Sequence, residues 1–389
     1  MKIIYFANAR IPTEKAHGLQ IMKMAESFAG AGIELELVLP TRINDEFKNT
    51  DLFSHYQVKN NFKVKKIKSP DPVFLLKLPA GVYIKFQLLL FIISLFFYLL
   101  FKKNKNDFIF YSRDEHLLPL LQLFSKKVVW EGHSLPAKKR YYQKYFKQCL
   151  LLVVLTGQLR KELVDLGIEA DKIIIAPDAV DLAVFAIKLT QEAARQKVNL
   201  PPGKIILGYT GSFKTKGMDK GIGDILKALK ILSQENLNVL FMAVGGIEPD
   251  ILDYKNQAED LGIGDRVLLL KPVSQNRLAI YQKAFDVLLM PFPDKPHYRY
   301  YMSPLKMFEY LAAGRPIIAS DLPSIKEVLS EQNCLFCQPD NPADLAAKIK
   351  LILQDRDLSD RMVKQSQRDS LSYTWENRAA KIIQAIGGI

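Results

Sequence analysis

Cysteine is scarce in this chain: Cys149, Cys334 and Cys337 are its 3 cysteines among 389 residues. So few cannot form a disulfide framework, and a reducing compartment is expected. Cys334 and Cys337 make a C-x-x-C pair, but one pair is half a zinc site, and neither a second Cys pair nor a His pair completes it. Both are read as apolar residues entering a loop. The loop after the first strand is not G-x-G-x-x-G, which weighs against a dinucleotide site. G-x-x-x-x-G-K-[ST] is absent too. There is no internal repeat and no low-complexity tract. The conspicuous apolar run, FQLLLFIISLFFYLLF at 86–101, is shorter than the ~20 residues a membrane span needs. The N-terminal MKIIYFANAR has a short apolar run and no small-residue cleavage site, so it reads as a strand and not a signal peptide. Acidic side chains are outnumbered, 41 Asp and Glu against 54 Lys and Arg, for a net charge of +13. That excess suggests an anionic partner: nucleic acid, a phosphorylated ligand or an acidic membrane.

What is present is a regular alternation. KIIYFAN, IELELVLP, DFIFYSR, KKVVWEG, LLLVVLT and KIIIAPDAV are short apolar runs with helical stretches between most of them. The pattern restarts with KIILGYTG, NVLFMAVGG, RVLLLKPV, DVLLMPF and RPIIAS. Strands alternating with helices predict parallel sheets covered on both faces, here two doubly wound, Rossmann-like α/β domains in tandem. A polar stretch ending in Pro-Pro-Gly places the break near residue 185. The expected division is 1–184, 185–372 and a terminal amphipathic helix over 373–389 carrying Trp375. In such sheets ligands sit beyond the carboxyl ends of the strands, so an interdomain cleft lined by strand-end loops is expected.

Those loops hold the candidate residues. Gly18 opens the first helix, where backbone amides can approach an oxyanion. His133 follows Gly132 at a strand end; it positions a substrate hydroxyl or is simply half-buried, and the two readings weigh equally. YTGSFKTKGMDKG supplies Ser212 and Lys216 in a Gly-rich turn before a helix, a cation suited to a diphosphate leaving group. In SPLKMFEYLAAGRPIIAS, Ser303 reads as an N-cap, Pro304 as the first helical residue and Leu305 as the start of the apolar stripe. Lys306 stands in the first turn, where the helix dipole disfavours a cation. A phosphate docked at that terminus makes the lysine useful. Glu309, a turn further on, then suits the two ribose hydroxyls of a nucleotide. The alternative is a Lys306–Glu309 ion pair worth about 0.2–0.5 kcal/mol.

The last segment is similar to the P-x-K-x-x-E-Y-x-A-x-G-x-P segment of the retaining glycosyltransferases of family 4, and the chain resembles that family over essentially its whole length. The Gly18 loop, His133, TGSFKTKG and PDAVD at 177–181 are further matches. The resemblance implies a GT-B fold and a nucleotide-diphosphate sugar as donor substrate, held mainly by the C-terminal domain. It places the acceptor over the N-terminal domain and sends the last helix back to that domain. Lys216 and Lys306 would meet the diphosphate, and Glu309 the ribose. The backbone at Lys271, Pro272 and Val273 would meet the base, Gly18 would approach the diphosphate from the other domain, and His133 would touch the transferred sugar. No cofactor and no metal are implied, and DRD at 355–357 reads as a solvated face. Two positions depart from the pattern: Tyr301 stands where members often carry a glutamate near the reacting centre, and Ser212 where many carry an arginine. Asp294, His297 and Arg299 are the candidate substitutes.

The basic excess has its own reading. FKVKKIKSPDPVFLLKLPAGVYIKFQLLLF and LPAKKRYYQKYFKQ mix lysines with apolar and aromatic residues, which suits anionic lipid headgroups. Peripheral binding at the inner face of the membrane, to a glycan or lipid-linked acceptor, is carried beside the reading of 86–101 as a core helix, which is slightly favoured. The scattered cations match no nucleic-acid reader. The rivals are an epimerase of similar architecture and a non-catalytic nucleotide-sugar-binding or scaffold protein.

Overall fold

The computed structural model describes all residues except 43–46, 72–79, 216 and 389. It divides into two compact units, Met1–Pro177 with Trp375–Ile389, and Asp178–Thr374.

The first unit is a parallel sheet of seven strands: β1 Lys2–Phe6, β2 Glu34–Pro40, β3 Lys63–Ile67, β4 Ile109–Ser112, β5 Val128–Gly132, β6 Leu151–Val154 and β7 Ile173–Ile175. The strand order is β3-β2-β1-β4-β5-β6-β7. The order reverses between β1 and β4, so the crevice at their carboxyl ends is the place for a ligand. IFYS of β4, VVWEG of β5 and LLVV of β6 are buried throughout, as strands covered on both faces must be. The helix Trp375–Gly387 is part of this unit and packs on the helix Ala16–Gly30.

The second unit repeats the plan with β8 Ile205–Thr210, β9 Lys214–Thr215, β10 Met218–Asp219, β11 Val239–Val244, β12 Val267–Leu270, β13 Val287–Met290, β14 Ile317–Ser320 and β15 Leu335–Cys337. Its six-stranded sheet runs β12-β11-β8-β13-β14-β15, with β9 and β10 forming a separate antiparallel hairpin. The order reverses between β8 and β13.

The polar stretch expected to separate the domains is part of this second unit. Val184, Phe185, Ala194, Val198 and Leu200 are buried in its core, and those apolar side chains carry the division back to Pro177/Asp178. The apolar helix is longer than the run of 86–101. It spans Ala80–Phe101 because Lys85 sits at an exposed position and does not end it. By length and composition alone Gly81–Phe101 could cross a membrane. A core helix would be covered all round. Here Phe91, Leu95 and Leu99 are buried, while Val82, Phe86, Leu89, Ile93, Phe97 and Leu100 form an exposed stripe. The favoured core-helix reading is thereby corrected.

Candidate donor-binding site

In the second unit the helix Leu305–Ala313 follows β13 after a connection that includes the short helix Pro296–Tyr300, at the point where strand order reverses. Pro304 occupies the cap position with extended backbone, and no side chain caps the helix. This corrects the reading of Ser303 as the cap: its Oγ accepts the amide of Asp178 at 2.9 Å. The Met307 amide reaches the Pro304 carbonyl. Those of Leu305 and Lys306 meet no acceptor among the described residues, so the positive end of the helix is open.

Lys306 is 6% exposed and its Nζ has no hydrogen-bond partner among the described residues. The ammonium lies 3.4 Å from the centroid of the Tyr209 ring and 5.3 Å from that of Phe292. Such a stack recovers part of the lost hydration through the ring's negative face. Burial drives the Lys306 pKa well below its ordinary value, and Lys220 pushes the same way. Glu309 is 8% exposed and accepts from Gln282 Nε2 at 2.9 Å. Burial raises its carboxyl to about 7. The two make no ion pair, which disposes of the i,i+3 alternative for these residues. A buried cation without an acceptor and a buried carboxyl with one donor are costly in an empty protein. A ligand bearing an anion and hydroxyls would satisfy both.

The neighbouring loops are shaped for close approach. Gly211, at the end of β8, has φ +103°, and a Cβ there would lie 3.4 Å from Lys306 Cε. Gly245, at the end of β11, has φ +123°, and a Cβ would meet the Gly211 carbonyl at 2.6 Å. The hairpin of β9 and β10 replaces the expected phosphate-type turn. Asp219 already fills the following helix terminus, accepting from the amides of Gly221, Ile222 and Gly223. Lys216 lies outside the described residues. Ser212 is exposed, and its Oγ accepts from Lys220 at 2.7 Å. Lys271 is exposed and paired with Glu248 at 2.6 Å, while Val273 is partly buried against the core. Arg299 and Asp294, two of the candidate substitutes, pair with each other.

The first unit holds His133 and Gly18. Glu131, at the end of β5, is a buried carboxylate that accepts from His133 Nε2 at 2.6 Å, Arg378 Nη2 at 3.0 Å and the Tyr111 hydroxyl. Burial alone would raise its pKa, but Arg378, then His133 and Arg113, hold it well below the carboxylate range. Arg113 Nη2 lies 2.9 Å from His133 Nδ1. A guanidinium only donates, so Nδ1 accepts and Nε2 carries the proton. Burial and Arg113 lower the His133 pKa to about 4. The imidazole is therefore neutral with both nitrogens engaged. Gly18 lies in the first turn of Ala16–Gly30, and a Cβ there would fall 2.4 Å from the Tyr56 hydroxyl. Packing by itself explains that glycine.

Comparison with known proteins finds relatives of the second unit and of the fold. Residues 190–369 match the family glycosyl transferases group 1. The match contains Lys220, Glu309 and Lys306. A Bacillus subtilis (strain 168) protein named as a teichuronic acid biosynthesis glycosyltransferase, TuaH, is 27% identical over 149 residues, 38% of this chain and 35% of that protein. The chain thus matches about a third of that relative's length. Sucrose-phosphate synthase from Thermosynechococcus elongatus superposes with a TM-score of 0.80 at 18% identity, over 100% of this chain and 99% of the other. Anabaena HepE, solved with UDP-glucose, superposes at 0.70 and 14% identity, with 100% of both chains covered. The fold is GT-B, with two Rossmann-like domains.

Several of these site residues escape a reading of the sequence. Lys220 stands four residues beyond Lys216 in the same loop, and nothing in the sequence pattern favours it; burial lowers its pKa to about 8. Gln282 orients Glu309 and reaches Thr210 Oγ1 at 3.0 Å, and Tyr209 supplies the ring under Lys306. Neither carries a motif. Asp355 of the DRD run caps the helix Arg356–Ser370 by accepting from Leu358.

Proposed function

We propose that the protein is a retaining glycosyltransferase of family 4 that moves a sugar from a nucleoside-diphosphate sugar to a glycan or lipid-linked acceptor in cell-surface glycan synthesis. The observation that carries this reading is the buried Lys306 ammonium, without an acceptor, beside open amides at a helix N-terminus. Free amides, dipole and lysine would all act on a diphosphate there. Glu309, held by Gln282, would accept from the ribose hydroxyls, and the backbone at Lys271–Val273 would border the base. UDP in the HepE structures supports a nucleotide of this kind.

In the proposed reaction the bond from the anomeric carbon to the diphosphate oxygen breaks, and the acceptor oxygen bonds to the same face of that carbon. The acceptor's proton passes to the departing diphosphate. Lys306 and Lys220 would neutralise the charge that grows on that group, and preorganised cations of this sort supply much of such a barrier reduction. His133, neutral and with both ring nitrogens engaged, is assigned no proton transfer in this route. No metal is needed for this route.

A second reading, a non-catalytic nucleotide-sugar binder, draws on Tyr301 and Ser212, which replace charged residues of the family pattern. Release of free UDP from UDP-glucose in the presence of an acceptor panel separates the two. A transferase liberates UDP, whereas a protein that binds UDP-glucose and frees none over the whole panel is a binder.

The exposed stripe of Ala80–Phe101 and the lysines beside it, Lys85, Lys103 and Lys105, support peripheral attachment to the inner face of an anionic membrane. Each cation near such a surface is worth about 1 kcal/mol. Flotation with phosphatidylglycerol vesicles tests this: Phe97→Glu should lower the floated fraction, and wild-type protein left entirely at the bottom in low salt contradicts attachment.

A further inference from the structure

Gln282, in the helix Gln275–Ala284, is fully buried, and one nitrogen makes its side-chain hydrogen bonds. Nε2 donates to Glu309 Oε2 at 2.9 Å and to Thr210 Oγ1 at 3.0 Å. Oε1 is buried and meets no donor among the described residues. A buried carbonyl left without a donor is destabilising, so the benefit of the fold does not explain an amide at this position.

The direction of that amide is set from behind. Thr210, the last residue of β8, donates its hydroxyl proton to the Tyr310 oxygen at 3.3 Å, and the same oxygen accepts the Thr210 amide at 2.8 Å. Tyr310 in turn donates to the Leu289 carbonyl at 3.5 Å. With its proton directed at Tyr310, Thr210 Oγ1 can only accept from Gln282. The amide nitrogen is thereby held toward Glu309. A carboxylate accepts from such a donor, whereas a carboxylic acid needs an acceptor for its own proton. Turning the amide round would supply one, at the loss of the bond to Thr210. The chain Leu289, Tyr310, Thr210, Gln282 therefore favours an ionised Glu309 against burial, which by itself favours the acid. Few other charges face this carboxyl. Lys306, a turn back on the same helix, also favours the carboxylate, and Lys220 acts on Lys306. Burial keeps the Tyr310 hydroxyl protonated, and Lys283, next to Gln282 in the chain, lies at the far end of the helix beside Gly314.

We propose that Gln282 is a positioning residue for donor binding: through the nitrogen fixed by Thr210 and Tyr310 it keeps Glu309 a carboxylate, with its other oxygen left for the ribose hydroxyls. The inference rests on the donor-site reading above and identifies the residues that set the pH range of that site.

Titration calorimetry of the full chain with UDP-glucose, from about pH 5.5 to 8, tests it, because the ligand has no group that titrates in that interval. Glu309 stands at about 7 in the free protein. Below that value binding has to release its proton, so wild-type affinity should fall about 10-fold per pH unit on the acid side. Gln282→Met should carry this limb upward by about one to two pH units, the equivalent of one hydrogen bond to a charged group. Affinity between about 7 and 8 should then still climb with pH in the variant, where in wild type it does not. Lys220, whose pKa burial lowers to about 8, slopes the other way and cannot imitate this. Thr210→Val makes no change at Glu309 itself, but it frees the amide to turn and should move the limb in the same direction; it carries the test where Gln282→Met fails to fold. Glu309→Gln should abolish the limb. A uniform loss of affinity with the limb unmoved in the folded variants would make Gln282 a structural residue only, and would overturn this inference while leaving the donor site standing. A limb that survives Glu309→Gln would overturn it too. UDP-glucose left unbound by wild-type protein at every pH would remove the donor-site reading, and this inference with it.

Discussion

Replacing Lys306 by methionine separates what the residue does for a ligand from what it costs the empty protein. Its ammonium has a ring beneath it and no acceptor, so the side chain stabilises little until an anion arrives. Loss of a charged hydrogen bond amounts to ~1.5–3 kcal/mol, so UDP affinity should fall roughly 10- to 100-fold by calorimetry. Removal of a buried unsatisfied amine should at the same time stabilise the ligand-free protein by about 1–3 kcal/mol in urea denaturation. A variant less stable than the parent would show that Lys306 has a structural partner after all. Glu309 gives a pH signature. Its carboxyl stands at about 7 in the folded protein against an ordinary 4.5, so between those values the folded state holds a proton that the unfolded state has released. Its contribution to stability is complete below about 4.5 and is lost as pH rises through about 7. Glu309→Gln should flatten that decline in chemical-denaturation profiles taken across the interval.

At the scale of elements, the strands were legible because two buried parallel sheets demand short apolar runs such as LLVV and VLLM, and their length and their alternation with helical stretches separate them from helices. The Leu305–Ala313 helix was legible through its stripe and its closing Gly314. Its cap was not, since the partner of Ser303 is Asp178, 125 residues away. The same holds for Asp219, whose capping depends on a hairpin that a Gly-rich loop does not announce. Gly18 shows how a site-like glycine can have a packing cause. Gly18→Ala would press a methyl to 2.4 Å from the Tyr56 hydroxyl and 2.7 Å from Thr13. Tyr56 also holds this loop, accepting from the Thr13 amide at 2.7 Å and donating to its carbonyl at 3.0 Å. Overpacking of this kind costs about 1–3 kcal/mol, which urea denaturation should register. An undiminished midpoint would mean that the Tyr56 ring moves aside freely, and the glycine would again need a ligand to explain it.

On the scale of the molecule, the first unit is closed by residues from both ends of the chain. Glu131 and Arg378 are 247 positions apart, and their side chains are 2% and 3% exposed. Arg378 also donates to the carbonyls of Ala176 and Pro177, so one guanidinium fastens the terminal helix to the last segment of the first unit before the chain enters the second. Removing one partner of a buried pair leaves the other charge stranded, at a cost of about 3–5 kcal/mol. Arg378→Met should therefore destabilise the protein by that order and raise the pKa of Glu131. Because the folded carboxyl is held below its ordinary value, its stabilising contribution is present above that value and fades as pH falls through the folded one. The variant should lose this acid-side slope. Adding Glu131→Gln should restore part of the stability, since the stranded charge is gone. Hydrogen exchange can locate the effect: amides of β5, β6 and the terminal helix should exchange faster, while those of β8, β11 and the Leu305–Ala313 helix keep their protection and UDP still binds. Loss of protection spread evenly over both units would mean that they unfold as one cooperative body, and the division at Pro177 would then have no energetic meaning.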